Sequence, residues 1–108
     1  MRIEETVHDS WMILDIADDV TIDVEFGPLV DTIRSLLMKG TVKIALRFTT
    51  GSYLSTRAIS PLVRCHSLMR DAGGVIALLG PNENIVDTME QVGLDAFIPM
   101  YRSEKDLT

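Results

Sequence analysis

The chain has 108 residues, of which 16 are acidic and 10 are basic, so its formal net charge is −6. Leu, Ile, Val and Phe occupy 34 positions, well above the roughly 20% below which a chain is expected to remain disordered. This length predicts one domain over residues 1–108. The acidic balance argues against general nucleic-acid binding, which needs a basic footprint.

The sequence also argues against a membrane span, an exported precursor and a cysteine-based metal site. No apolar run approaches the ~18 residues that a membrane span needs. Glu4 and Glu5 stand where a secretory signal would carry cationic and apolar residues. Cys65 is the single cysteine, so an internal disulfide and a cysteine-based metal cluster are excluded. We therefore expect a soluble cytoplasmic domain without a metal or a cofactor.

The first third of the chain predicts two strands followed by a helix. Residues 3–8 suit an edge strand, and residues 11–16 form a denser apolar run that pairs with it through a turn near Asp9 and Ser10. Apolar residues then recur at helical spacing, which predicts a helix over residues 26–39, with a proline in its first turn and a glycine after its end.

The middle of the chain predicts a strand, a polar loop and a second helix. Alternation over residues 42–48 is typical of a strand with one drier face. The second helix is predicted over residues 60–72, with Ser60 as its cap and Pro61 at its first position. Ser55 is the alternative cap, and an irregular turn over residues 55–60 would reconcile the two.

The last third predicts two further strands around a third helix. The continuous apolar run at residues 75–79 is typical of a strand covered on both faces. A helix follows over residues 82–92 and ends at Gly93, residues 96–98 suit a short last strand, and Ser103 suits the cap of a brief terminal helix. The order β-β-α-β-α-β-α-β predicts an α/β fold, a small mixed β-sheet flanked by helices with parallel crossovers.

This order resembles the STAS domain, named for sulphate transporters and anti-sigma-factor antagonists. The segments that carry the resemblance are residues 43–48, 55–59, 70–74, 80–84 and 92–101. The resemblance implies regulation by binding in signal transduction and transcription regulation. Free antagonists of this family pair with a serine kinase of the histidine-kinase-like ATPase fold that is also an anti-sigma factor. Phosphorylation of a serine at the start of the second helix switches the pairing, and a phosphatase resets it.

The sequence departs from the family at that serine. The usual loop reads Asp-Ser-Ser-Gly-Leu, and here the five places hold Ser55, Thr56, Arg57, Ala58 and Ile59. The acceptor place is Arg57, which has no hydroxyl, so we expect the ordinary phospho-switch to be missing. Two interpretations of Ser55 and Thr56 stay open: they form caps and turns, or one of them, Thr56 first, is a shifted phosphoacceptor.

Basic residues are concentrated around this loop in the sequence. From Arg34 to Arg70 there are seven basic residues and no acidic one. This set is either part of a partner-facing surface or a scattered, solvated set, and Arg57 itself is either a binding residue or an exposed turn arginine. The candidate partner-binding residues are Arg57, Ser55, Thr56, Ser52 and Arg64.

Three hypotheses of function follow. The first is a non-enzymatic, anti-sigma-factor-antagonist-like protein of a bacterial partner-switching pathway, which binds a kinase-fold anti-sigma factor or switch kinase. The second is a constitutive scaffold or accessory subunit of a larger STAS-containing assembly, in stress signalling or in a lipid-transport ABC system. The third is a small-ligand or nucleotide sensor, for which the sequence offers only a basic loop. An enzyme is not expected, because no paired acid and base and no activated nucleophile is recognisable. Homodimer formation is left open.

Overall fold

The computed structural model describes residues 1–107, which form five strands, three α-helices and three short 3-10 turns. The strands are β1 (Ile3–His8), β2 (Trp11–Ile16), β3 (Lys43–Arg47), β4 (Val75–Leu79) and β5 (Met100–Tyr101). The helices are α1 (Gly27–Met38), α2 (Ile59–Asp71) and α3 (Glu83–Val92). The predicted order is confirmed, and each helix begins and ends within one residue of its predicted bounds.

The strands form one sheet whose order follows the chain, β1-β2-β3-β4-β5. β1 and β2 pair antiparallel, and the other three pairs are parallel. A parallel pair needs a crossover connection, and α1, α2 and α3 provide one each. The predicted mixed sheet with parallel crossovers is therefore confirmed.

The two faces of the sheet carry two separate apolar clusters. On one face, Leu14, Ile44, Leu46, Ile76 and Leu78 pack against the buried residues of all three helices. The other face carries a smaller cluster with no residue from these helices. Its members are Trp11, Ile13, Ala45, Ala77, Leu79 and Leu107, with Tyr101 packed against them. β4 contributes to both clusters, as its continuous apolar run predicts.

The start of α2 differs slightly from the prediction. A 3-10 turn over Thr56–Ala58 leads directly into α2 at Ile59. Ser60 is therefore inside the helix, and the prediction that it caps α2 is wrong. Pro61 is the third helical residue, where its missing N–H costs no intrahelical hydrogen bond. The irregular turn after Ser55 is confirmed, but it ends at Ala58 and not at residue 60.

The last strand lies further along the chain than predicted. The prediction of a strand at residues 96–98 is wrong, because Leu94–Ala96 form a 3-10 turn. Ile98 continues that turn, since its N–H donates to Leu94 O at 2.8 Å, and its side chain is fully buried in the helix-covered cluster. Pairing with β4 begins only at Pro99, whose carbonyl accepts a hydrogen bond at 2.9 Å.

The chain ends in the brief helical segment that the sequence predicts. It is a 3-10 turn over Glu104–Asp106, and the carboxylate of Asp106 accepts a hydrogen bond from the N–H of Ser103 at 3.3 Å. Within residues 1–107 no helix has the length and apolar character needed to cross a membrane.

Gly74 permits a close backbone contact between the end of α2 and the start of β3. A Cβ added there would lie 2.4 Å from the carbonyl oxygen of Val42, closer than any real Cβ contact. The same carbonyl accepts a hydrogen bond from the N–H of Val75 at 2.8 Å. Glycine is therefore needed at this position for α2 to return to the sheet.

Candidate protein-interaction site

Three loops meet at the edge of the sheet where β2, β3 and β4 end. They comprise residues 17–26, 48–58 and 80–82, and carboxyl ends of parallel strands share one edge. The middle one, called here the β3–α2 loop, carries all the predicted site residues except Arg64. Its neighbours contact it directly, since the N–H of Tyr53 donates to Val20 O at 2.8 Å.

Ser52 is the buried centre of the β3–α2 loop. It is 3% exposed, and its hydroxyl accepts a hydrogen bond from the N–H of Val20 at 2.9 Å. The same hydroxyl lies 2.7 Å from that of Thr49, which donates to Asp19 Oδ1 at 2.5 Å. The geometry gives Ser52 a positioning role, and contact between its side chain and a partner would require the loop to open.

Asn82 fastens the same loop to α3. Its Oδ1 accepts a hydrogen bond from the N–H of Ile85 at 2.9 Å and so caps the helix. Its Nδ2 donates to the carbonyls of Thr50 at 3.1 Å and Ser52 at 2.8 Å. The sequence predicts a helix that starts at residue 82, whereas the second contact has no local pattern because the partners lie about 30 residues apart.

Leu54 is a second anchor, buried to 1% exposure. Its N–H donates to Asn84 Oδ1 at 3.3 Å, and its carbonyl accepts a hydrogen bond from the hydroxyl of Thr88 at 3.4 Å. The loop is therefore tied to α3 on both sides of Tyr53, immediately before the positions where the family carries its phosphoacceptor.

After Leu54 the loop turns outward and presents Ser55, Thr56 and Arg57. The Ser55 hydroxyl accepts a hydrogen bond from the N–H of Arg57 at 3.2 Å, so Ser55 caps the 3-10 turn. Thr56 and Arg57 are exposed. Within residues 1–107 the guanidinium of Arg57 has no hydrogen bond and no ion pair. The loop thus presents an uncompensated cation at the place of the family's serine.

A groove lies between α1 and the first turns of α2, which follow the loop directly in the chain. Its volume is about 310 Å³, and it is lined on the α2 side by Ser60, Pro61 and Arg64. Arg34 of α1 lines the same groove, whose other charged lining residues are Glu25 and Asp31. The structure therefore brings Arg34 and Arg64 together near the loop, in a groove of mixed charge.

The other basic residues of the central segment do not join this surface. Arg47 is occupied by Asp15, whose Oδ1 lies 2.5 Å from its Nε, and hydrogen bonds to Asp15 and Glu104 raise the pKa of its guanidinium further above neutrality. Lys39 and Lys43 lie at the opposite edge, where α1 ends and β3 begins. Arg70 lies at the far end of α2, beside Asp71. The scattered interpretation is therefore correct for these four residues.

Two exposed apolar side chains near the loop were missed by the sequence reasoning. Tyr53 is 51% exposed and Ile22 is 53% exposed. The hydrogen bond from Tyr53 to Val20 places both on the same edge of the sheet. An aromatic residue within a polar loop was the signal available for Tyr53. Ile22 lies in an acidic loop with no such pattern.

Cys65 and His66 are accounted for by burial and packing. Burial raises the pKa of the Cys65 thiol to about 11, and the ring of His66 packs against Phe97 at a centroid distance of 5.8 Å. Across residues 1–107, no group of three His, Cys, Asp or Glu side chains is placed to hold a metal ion.

Comparison with protein families and solved structures places the chain among known folds. The family model described as the STAS domain matches residues 2–107, which confirms the resemblance inferred from the sequence. Among curated proteins, none matches the chain.

Two solved structures of TM1081 from Thermotoga maritima resemble the chain. The crystal structure at 1.59 Å, described as a candidate anti-sigma factor antagonist, is 21% identical and has a TM-score of 0.74. The matched region covers 94% of this chain and 86% of the TM1081 chain. The NMR structure is 20% identical with a TM-score of 0.78 and covers 98% and 85%. At this identity the likeness demonstrates a shared fold.

Proposed function

The chain belongs to the STAS domain family, and we propose that it is a non-enzymatic regulatory protein of a bacterial cytoplasm that acts by binding another protein. Its mode of action resembles that of anti-sigma-factor antagonists in partner-switching pathways, but without the serine phospho-switch. The observation that carries the proposal is the exposed Arg57, an uncompensated cation at the family's acceptor position.

The construction of the β3–α2 loop supports a binding role. Hydrogen bonds of Ser52, Leu54 and Asn82, one buried and two partly buried, tie the loop to the residues around it. A preorganised loop loses less conformational entropy on association, which favours binding. The same loop presents Tyr53 and Arg57, and Tyr and Arg are the residue types enriched at interface hot spots.

The partner that fits this surface is a protein with an acidic rim around an apolar contact. In the antagonist role, it is a kinase-fold anti-sigma factor or switch kinase. Phosphorylation would replace a neutral hydroxyl with about −1.5 to −2 charges, whereas Arg57 keeps one positive charge throughout. Binding is therefore expected to be constitutive or to be controlled from the partner's side.

The same fixed charge supports a second candidate function. A STAS subunit that is never phosphorylated would serve as a scaffold or accessory subunit of a larger STAS-containing assembly. An interface that cannot be reversed by a serine kinase suits a permanent complex as well as a signalling one. The identity of the bound protein distinguishes the two, since a kinase-fold regulator supports the first role and a transporter or STAS-assembly subunit supports the second.

The test is a pull-down with the wild-type chain, followed by affinity measurements with Arg57 variants. Arg57→Ala is expected to weaken binding by about 0.2–1 kcal/mol if the arginine lies at the rim, and by 2–5 kcal/mol or more if it is buried in a hydrogen-bonded charge pair. Arg57→Glu should weaken binding further and invert its salt dependence. Arg70→Ala is the matched control, because Arg70 is exposed at the far end of α2 beside Asp71.

Both Arg57 variants should melt as the wild type does, because exposed loop side chains contribute little to the free energy of unfolding. If the captured partner binds both variants with wild-type affinity, the β3–α2 loop is not the interface.

A further inference from the structure

The second face of the sheet is covered by a short segment, Ser103–Leu107, called here the C-terminal strap. Leu107 is 4% exposed and joins the apolar cluster of that face. The helices α1, α2 and α3 contribute no residue to this cluster among residues 1–107. Of the strap, Leu107 is the residue that packs into the cluster, while Ser103, Lys105 and Asp106 are exposed.

Two small residues lie next to each other on this face of the sheet. Ala45 pairs with Ile13 on one side and with Ala77 on the other, so two small side chains lie next to each other in adjacent strands. Both alanines are fully buried in the cluster that contains Leu107. Leu107 therefore shares a cluster with two adjacent small side chains, which leave more room on this face than larger strand residues would.

A single carboxylate supplies the polar attachment. Glu104 Oε1 lies 3.0 Å from Arg47 Nη1, and its Oε2 lies 3.8 Å from His8 Nδ1. Arg47 is already oriented by Asp15. This face therefore has a cationic group, Arg47, near an apolar cluster. The strap binds the cation through Glu104 and joins the cluster through Leu107, three positions later.

The attachment is nevertheless slight. In the described chain, the backbone hydrogen bonds of the strap are internal: Asp106 N donates to Ser103 O at 3.0 Å and Leu107 N to Glu104 O at 3.1 Å. An open pocket of about 340 Å³ borders the strap and is lined by its residues Ser103, Glu104 and Lys105 together with Arg47 and Leu79 of the sheet. Segments with few buried contacts and no ladder to the core open locally at low free energy.

We propose that the C-terminal strap is a displaceable internal occupant of a peptide-docking face, which takes a segment carrying a carboxylate three residues before a leucine. The chemistry of that partner is read from the strap itself and from the groups that hold it, Arg47 with His8 for the carboxylate and Ala45 with Ala77 for the leucine. Opening exposes Trp11 and the apolar cluster, the kind of contiguous patch that marks an interaction surface. This site lies on the opposite face of the sheet from the helices and does not depend on the proposed function of the β3–α2 loop.

The chain provides its own reporter, because Trp11 is the only tryptophan and belongs to the covered cluster. The variants are Leu107→Ser, which removes the apolar contact, and Glu104→Gln, which removes the charge that faces Arg47. Lys105→Gln is the matched control from the exposed side of the same turn. Leu107→Ser and Glu104→Gln should shift Trp11 emission to the red and increase its quenching by acrylamide. Their circular dichroism should remain that of the wild type, which shows that the helices are intact. Lys105→Gln should change neither the emission nor the quenching.

Docking is then tested in trans with the peptide acetyl-Ser-Glu-Lys-Asp-Leu-amide, added to the full chain carrying Leu107→Ser. The peptide should restore wild-type quenching at about millimolar concentration, the effective concentration that a short tether normally supplies. A peptide with Gln for Glu and Ser for Leu should not restore it. Failure of the first peptide, or equal action of both, overturns the docking proposal.

Hydrogen exchange in the wild type keeps the proposal testable if Leu107→Ser does not fold. The amides of Asp106 and Leu107 should exchange much faster than those of β3 and β4, through openings that leave the sheet intact. Exchange of these two amides at the slow rate of the sheet would mean that the strap opens only with global unfolding, and the proposal would be wrong.

Discussion

Asn82 and Ser52 are joined by a hydrogen bond of 2.8 Å from the side-chain amide of the former to the main-chain carbonyl of the latter. Because the same side chain caps α3, the conformation of the β3–α2 loop and the first turn of α3 depend on one residue. The loop that presents Arg57 is thereby built on a helix terminus rather than on its own local preferences.

The two roles of Asn82 can be separated by substitution. Asn82→Asp keeps the oxygen that caps α3 but loses the donor and places a carboxylate against the carbonyls of Thr50 and Ser52. We expect faster amide exchange over residues 50–57 with wild-type protection of α3. Asn82→Ala loses both roles and should also cost about 0.5–2 kcal/mol through the lost cap. Unchanged loop exchange in Asn82→Asp would contradict this account.

Phosphorylation should fail at the family's usual position. Incubation with ATP and a serine kinase of the partner-switching type, followed by mass spectrometry, should find little phosphate, and any label should map to Thr56 or Ser55. Arg57→Ser restores a hydroxyl at the acceptor place and should gain the modification, which controls for a competent kinase. Stoichiometric phosphate elsewhere in the wild type would show that the switch has moved.

Gly74→Ala adds only one methyl group but should destabilise the fold strongly. The added methyl would lie 2.4 Å from Val42 O, and overpacking of this kind typically costs about 1–3 kcal/mol of unfolding free energy. Gly27→Ala is the control, since nothing lies within 4 Å of its added Cβ and it begins α1. Urea denaturation should separate the two variants, and equal midpoints would mean that the α2–β4 turn adjusts freely.

Cys65 should make the stability of the protein fall at alkaline pH. Burial raises the pKa of its thiol from the usual 9.0 to about 11 in the folded state, so the unfolded chain loses this proton first. Between about pH 9 and pH 11 the folded state therefore holds more protons, and the free energy of unfolding declines as pH rises. Below this range the contribution is fully present.

Comparison with Cys65→Ala isolates this contribution from other groups that titrate in the same range. The variant should be less stable than the wild type at pH 7, because a buried side chain has been truncated. Its unfolding free energy should decline less steeply between pH 9 and pH 11. Parallel pH profiles for the two proteins would contradict the assignment to the Cys65 thiol.

The parts of the fold that the sequence predicts are those encoded by local patterns. The helical spacing of residues 26–39 and of residues 82–92 depends only on neighbouring residues, so α1 and α3 were predicted to within a residue. The prediction of a strand at residues 96–98 was wrong because it, too, used only local apolarity. The apolarity of Ile98 is satisfied by burial within a turn, and periodicity alone does not distinguish that from a strand.

The candidate site likewise has one part that the sequence predicts and one part that depends on distant residues. The anomaly at Arg57 is visible in the sequence because a family pattern exists to compare it with. The positioning role of Ser52 depends on Val20 and Asn82, each about 30 residues away, and the attachment of Glu104 to Arg47 spans 57 residues. Contacts at such separations are set by the topology of the sheet, and a single sequence carries no signal for them.

The order of the strands in the sheet has a consequence for how the molecule is assembled. Each strand pairs only with the strands that precede and follow it in the chain. As a ribosome delivers the chain from its amino terminus, every new strand can join the free edge left by the last one, and none has to be inserted between two that are already paired. The sheet can therefore grow in one direction during synthesis, with a single advancing edge that the next βα unit covers.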